Sequence, residues 1–243
     1  MSEGWLKRLS RAEQKWRRGF GRDIVDPLER RRSFWHYNWL DHAHLRRLWS
    51  NEAQIAPGVW RSNQPTLRRL RRIRDKHGVR TVLNLRGEDV FAHFLFLQEN
   101  CERLGLRLVN VKLNATVAPS RDNLLELLDA FEAVEPPLLM HCKSGADRTG
   151  LAAVLWLMIK QGKSLDEARG QLHWRHHHWR NSRAGILDEV LDLYAARLRQ
   201  GEIAIDDWIR QEYTKEAAKE AFEARRISRK TAARSSPRTS PKA

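Results

Sequence analysis

Ten consecutive residues carry the densest chemistry in the chain: His141-Cys142-Lys143-Ser144-Gly145-Ala146-Asp147-Arg148-Thr149-Gly150. Five residues separate Cys142 from Arg148, enough backbone to wrap one tetrahedral oxyanion with N–H groups. An apolar stretch, Leu138–His141, leads into the segment, and an apolar helix pattern, Thr149–Lys160, leads out of it. A helix starting there aims its positive dipole end at the same point. Gly145 permits a turn that a Cβ would obstruct. Arg148 can grip two oxygens of one anion in bidentate fashion. The same field stabilises a thiolate at Cys142, which lowers its pKa and makes it a nucleophile near neutral pH. No Gly-Lys-Ser/Thr follows the glycine, so this is not a Walker-type ATP site.

The elements that must position this loop alternate between strand and helix signals from residue 55 onward. Strands are expected at Gly58–Ser62, Thr81–Leu85, Leu106–Leu113 and Leu138–His141. Helices are expected at Thr66–His77, Phe91–Leu104, from Ser120 to about Val134 with Ser120 as N-cap, and at Thr149–Lys160. Further helices are expected at about Ser164–Trp174, Ala184–Arg199 and Ile205–Ala224. Alternation of this kind implies parallel βαβ units, hence an α/β fold with a mainly parallel sheet of four to five strands flanked by helices. Ligands of such sheets bind beyond the carboxyl ends of the strands, where Arg86, Asn114 and Cys142 converge.

The loop resembles the signature of the cysteine-dependent phosphatase superfamily: His-Cys, five residues, Arg, then Ser or Thr. Its nearest likeness is the dual-specificity and bacterial tyrosine-phosphatase-like branch, and the element order over residues 55–200 agrees. Arg61-Ser62-Asn63-Gln64-Pro65 resembles a segment found near the start of bacterial members. The resemblance does not reach residues 1–50 or 205–243. It implies that Cys142 attacks phosphorus and forms a phosphocysteine. It implies that Arg148 binds the equatorial oxygens, that Thr149 eases departure of the sulfur, and that His141 orients the loop. Lys143, Ser144, Gly145, Ala146 and Asp147 complete the phosphate-binding loop, and neither metal nor cofactor is required.

One departure concerns the general acid. Dual-specificity phosphatases carry an Asp on the loop after the preceding strand, but Asn114-Ala115-Thr116-Val117-Ala118-Pro119 holds no carboxylate. Asp147, Asp89 and Asp122 are the substitutes. Asp147 is favoured, because myotubularin and Sac-type phosphoinositide phosphatases resemble the Asp-Arg-Thr at the end of this loop. The competing reading has Asp147 only orienting Arg148 or loop amides, and has Asp122 simply matching a helix dipole. Arg86, Asp89 and Asn114 are candidate substrate contacts, with a salt bridge as the alternative for Arg86.

Other clusters are weaker. Of His173, His176, His177 and His178, only His173 and His177 would share a helix face, and no Cys or acidic partner sits at ligand spacing, so no metal site is assigned. Trp174 and Trp179 are expected to pack on the sheet or line a pocket edge. The arginines 68, 69, 71, 72 and 74 read as a solvated helix face. Cys101, inside a helix pattern, reads as a core residue.

Charge and length bound the partners. The 243 residues carry a formal net charge of +15, with 45 basic and 30 acidic side chains and ten Trp. Residues 1–50 hold +6 of it and residues 211–243 hold +5, so the middle is nearly balanced. Charge spread along a whole fold would suit a nucleic-acid groove; charge at the ends suits attachments to an anionic surface, and a nucleic-acid partner is not expected. Residues 3–18 form an amphipathic basic helix pattern with Trp5 and Trp16 on its apolar stripe. It either lies in a membrane interface or docks on its own domain. The expected organisation is a basic Trp-rich arm over 1–50, a catalytic domain over 51–204, a C-terminal helix over 205–224, and a disordered basic tail over 225–243. With only two cysteines, no signal-peptide pattern and no long apolar run, the protein is expected in the cytoplasm or attached to a membrane from its cytoplasmic side. The expected substrate is a phosphoprotein, with a lipid or inositol phosphate as the alternative and a non-enzymatic phosphate-binding module as a third reading.

Overall fold

The computed structural model describes residues 21–235; the helix expected over 3–18 lies outside the described residues. The contacts divide the chain into two compact units. The first runs to Lys112 and adds Val134–Gly145, and the second comprises Leu113–Ala133 and the chain from Ala146.

The first unit contains the sheet, and the fold class is α/β as expected. Its strands are β1 (Ala53–Ala56), β2 (Val59–Ser62), β3 (Thr81–Asn84), β4 (Arg107–Asn110) and β5 (Leu138–His141), in the order β1-β2-β5-β3-β4. Only β1 and β2 pair antiparallel; the other neighbours run parallel. Register levels the carboxyl ends, since His141 pairs with both Ser62 and Asn84, and Asn84 pairs with Asn110. All four residues of β3 and of β5 are buried, which explains why neither alternates apolar and polar residues. β1 is a short, half-exposed edge strand that gives no clear sequence signal.

Two helices cover the sheet face that carries Val82 and Leu139. They are α2 (Leu67–His77) and α3 (Ala92–Leu104), which contribute Leu70, Ile73, Leu97, Cys101 and Leu104 to the buried cluster. Thr66 caps α2 by accepting the Arg69 N–H, and Gly78 ends it in the left-handed region. Ahead of the sheet, α1 (Pro27–Trp35) and a π turn (His36–Leu40) pack on α3 as an arm. Phe34 and Tyr37 meet Phe96, and Arg30 forms a bidentate pair with Glu99.

The second unit is helical. Its elements are α4 (Arg121–Ala133), α5 (Asp147–Gln161), α6 (Leu165–Ala168), α7 (Ile186–Leu198), α8 (Ile205–Gln211) and α9 (Lys215–Ser235). Ser120 caps α4 as expected, accepting the Asn123 N–H while Asn123 accepts its own. Nine residues of α5 from Thr149 to Leu157 are buried in succession, which is why its sequence shows no polar face. The helix expected over Ser164–Trp174 is instead a single turn followed by 3₁₀ turns, with Gly170 interrupting it. The tail differs too: the disorder expected from Arg225 is replaced by helix through Ser235. Ala218 and Phe222 are buried, and Arg225 reaches Glu189 and the Gly185 carbonyl. A run of Ala, Glu, Lys and Arg has high helix propensity, which its lack of acidic residues beyond 225 does not cancel.

Candidate active site

The loop leaves β5 at His141 and enters α5 at Asp147. In the first unit its backbone is held from behind by the segment Arg61–Gln64. Gln64 N–H donates to the Lys143 carbonyl at 3.3 Å, the Asn51 side-chain amide to Ser144 at 3.1 Å, and the fully buried Arg61 guanidinium to Gly145 at 2.6 Å. Three consecutive carbonyls thus face this scaffold. Because each peptide is trans and planar, the N–H groups of Ser144 and Gly145 face away from it. Gly145 sits at φ +75°, and a Cβ there would lie 2.6 Å from the Asn63 nitrogen. Only glycine satisfies both the turn and the close approach. The resemblance in residues 61–65 therefore has a physical basis: these residues are the loop's support.

Cys142 and His141 are both buried, and His141 Nδ1 lies 3.2 Å from the Cys142 carbonyl. Cys101 is a different kind of thiol. It lies in the α2–α3 core, where burial and Glu102 push it up to about 12.

Lys143 leans on a residue the sequence reading missed. Asp41, buried on the arm, lies 3.2 Å from Lys143 Nζ. It also accepts a bidentate pair from Arg86 at 3.0 and 2.9 Å and one hydrogen bond from Arg46 at 2.7 Å. Burial alone would raise this carboxyl, but Arg86, then Arg46 and Lys143, hold it far below the usual range. Arg86 also contacts Gln64, so it is engaged in a salt bridge and a hydrogen bond within the protein. No spacing rule connects Asp41 to the loop; the only sequence signal was an isolated acid in a basic arm.

The other candidates are placed as follows. Asp89 accepts the Val90 N–H and lies 3.6 Å from His93, which burial and then Arg86 push down to about 3. Asn114 accepts Thr116 in a local turn. In the second unit Arg148 donates to the Leu113 carbonyl at 3.4 Å, and its Nε is buried without a hydrogen-bond partner among the described residues. The Thr149 hydroxyl is likewise buried without a partner. Asp147, in the first turn of α5, lies 2.8 Å by Oδ1 from Nδ1 of His178, and His178 Nε2 lies 2.8 Å from Asp188 Oδ2.

His178 is the second residue the sequence reading misplaced. Grouped with its neighbours it looked like part of a histidine cluster on a helix. In fact the backbone turns left-handed at His177, with φ +59°, and His178 alone is buried. Of the two placements expected for Trp174 and Trp179, the structure shows a pocket edge: each is 59% exposed and lines a cavity of about 430 Å³ with His178 and Asp188. Among the described residues no group of His, Cys, Asp and Glu is arranged to hold a metal, and no helix is long and apolar enough to cross a membrane.

No curated protein sequence matches the chain significantly. Similar solved structures include TpbA of P. aeruginosa, at 22% identity over 66% of this chain and 89% of that one, with a TM-score of 0.48. They include Tk-PTP in its active form, at 25% identity over 60% of this chain and 98% of that one, with a TM-score of 0.47. A third is the core catalytic domain of the PP-IP phosphatase SIW14 from S. cerevisiae, at 16% identity over 75% of this chain and 93% of that one, with a TM-score of 0.45. Residues 39–186, more than half of the chain, match the model of the PTP-NADK family, described as a DSP-PTPase phosphatase fused to NAD+ kinase. Asp41 and His178 both fall inside that match, and the chain belongs to this family of phosphatases.

Proposed function

We propose that the chain hydrolyses phosphomonoesters through a phosphocysteine on Cys142, with protein phosphotyrosine and dual-specificity substrates as its class. The observation that supports this reading is the fastening of the Lys143, Ser144 and Gly145 carbonyls to Gln64, Asn51 and Arg61, which turns the N–H groups of Ser144 and Gly145 away from that support. In the first step the Cys142 thiolate attacks phosphorus, the bond to the leaving oxygen breaks, and that oxygen takes a proton from Asp147. Arg148 and the loop amides carry the charge of the equatorial oxygens. In the second step water attacks the phosphocysteine and gives a proton to Asp147. Phosphate leaves and the thiolate is restored, with the Thr149 hydroxyl donating to the departing sulfur. His141 orients the loop, and Lys143 adds charge at its rim.

The same chemistry on a lipid or inositol phosphate is the second reading. It is favoured by Lys143, whose side chain stays 38% exposed beside the loop. We place the reaction in the cytoplasm, where two free cysteines persist. The basic, Trp-bearing residues 1–20 bring it to an anionic membrane face. Phosphate release from phosphopeptides, inositol phosphates and phospholipid vesicles tests both readings. Turnover is expected from at least one class and none from Cys142→Ser; turnover that survives Cys142→Ser overturns the mechanism.

A further inference from the structure

The family's usual acid is missing from the loop after β4, and Asp147, the carboxylate between Cys142 and Arg148 in sequence, does not stand alone. We infer that His178, anchored by Asp188, is the positioning residue that orients Asp147 for proton transfer. This inference rests on the reading of Asp147 as the proton carrier.

Three observations support it. First, the row Asp147–His178–Asp188 is continuous, with 2.8 Å at both joints, and each imidazole nitrogen faces one carboxylate. Such an arrangement fixes the ring against rotation about its own axis. It has the logic of an acid–base side chain held by a partner that is itself held. Second, the ring's side chain is 1% exposed and that of Asp188 is 5% exposed, whereas Asp147 keeps 19% of its surface. Only the terminal member of the row meets solvent. The ring meets Asp147 through Oδ1, so the contact fixes that oxygen and with it the direction of the carboxyl group. Third, the backbone goes out of its way to make the contact. A non-glycine residue, His177, takes the left-handed conformation, an uncommon state, so that His178 turns inward while Trp174 and Trp179 stay out.

The charged groups around the ring come from every side. Asp147 lies on α5 and Asp188 on α7, while Arg169, His173 and Arg180 stand on the wall of the adjoining cavity. Arg169 and Arg180 are both paired with Asp192. Burial alone would lower the imidazole's pKa, but its hydrogen bonds to Asp147 and Asp188 outweigh that and raise it to about 9.

The test uses the full chain and a series of phosphomonoesters running from 4-nitrophenyl phosphate, whose leaving group needs no proton, to an alkyl phosphate, whose leaving group does. The readout is kcat/KM, which covers the steps through departure of the leaving group. His178→Asn and Asp188→Asn are each expected to stay within about threefold of wild type on 4-nitrophenyl phosphate and to lose about a hundredfold on the alkyl phosphate. Asp147→Asn is expected to lose at least as much on the alkyl phosphate. Full turnover of the activated ester shows that a variant is folded, and Asp188→Asn carries the test if His178→Asn does not fold. A flat response, with every ester slowed equally or none slowed, overturns the role of His178. If Asp147→Asn is also flat, the reading of Asp147 falls with it, while inactivity of Cys142→Ser on all esters still upholds the cysteine mechanism.

Discussion

Lys143 Nζ lies 3.2 Å from the buried carboxylate of Asp41, which ties the phosphate loop to an arm that precedes the sheet. Asp41 also binds Arg46 and Arg86, so three cations share one anion. Burial pulls the Lys143 ammonium below its usual range while Asp41 opposes that pull. Removing the charge leaves three cations facing one another in a low dielectric. Asp41→Asn is therefore expected to lower unfolding free energy by about 3–5 kcal/mol, read from the shift in urea midpoint. A midpoint within error of wild type would show that Asp41 is not the hub described.

Gly145 offers a sharper probe of the loop. An alanine at φ +75° costs about 1–2 kcal/mol in backbone strain and drives its Cβ toward Asn63. The loop must move off its support, and the orientation of its N–H groups is lost with it. Gly145→Ala is expected to reduce kcat/KM by about 10²–10³ on every ester, irrespective of leaving group. This uniform loss is the opposite signature from that of His178→Asn, and a variant with wild-type turnover would contradict the close approach.

Much of this was legible in advance, and the division is instructive. β3 and β5 were readable because all four residues of each are buried around a compact apolar centre, Val82-Leu83 and Leu138–Met140. Cys142 and Arg148 stand out in the sequence because their motif is local, with five residues between them. Asp41 and His178 were not readable, because each reaches the site by tertiary contact rather than by spacing. His178 was obscured further by its neighbours, since a helical reading of residues 173–178 puts the wrong histidines on one face. The helix through Ser235 was missed because composition was weighed above propensity. What holds that helix, Arg225 on Glu189, is again a distant pair.

Stability should follow the titration of His178. Its folded pKa of about 9 lies above the unfolded value near 6.5, so its contribution is complete below about pH 6.5 and is lost as pH rises through 9. The difference in unfolding free energy between wild type and His178→Asn is expected to shrink by about 3 kcal/mol across that window. Chemical denaturation at several pH values checks this; a difference that stays constant or grows with pH would refute it.

Deleting residues 1–20 is expected to weaken binding to vesicles rich in anionic lipid, with no change toward neutral vesicles. Hydrolysis of a water-soluble aryl phosphate should be unaffected, because every residue placed in the site lies beyond Asp41. Equal vesicle binding by the full and shortened chains would reject the anchor.

The contrast between the two thiols has a practical consequence. Cys101, packed in the sheet-facing core and pushed up to about 12, presents no thiolate to a reagent at neutral pH. An alkylating agent such as iodoacetate, itself an anion suited to an oxyanion loop, should then stop at one equivalent per folded chain. Protection by inorganic phosphate would identify the labelled sulfur as Cys142. The molecule thus carries its own stoichiometric titrant, and the fraction of chains competent for chemistry can be counted before any substrate is known.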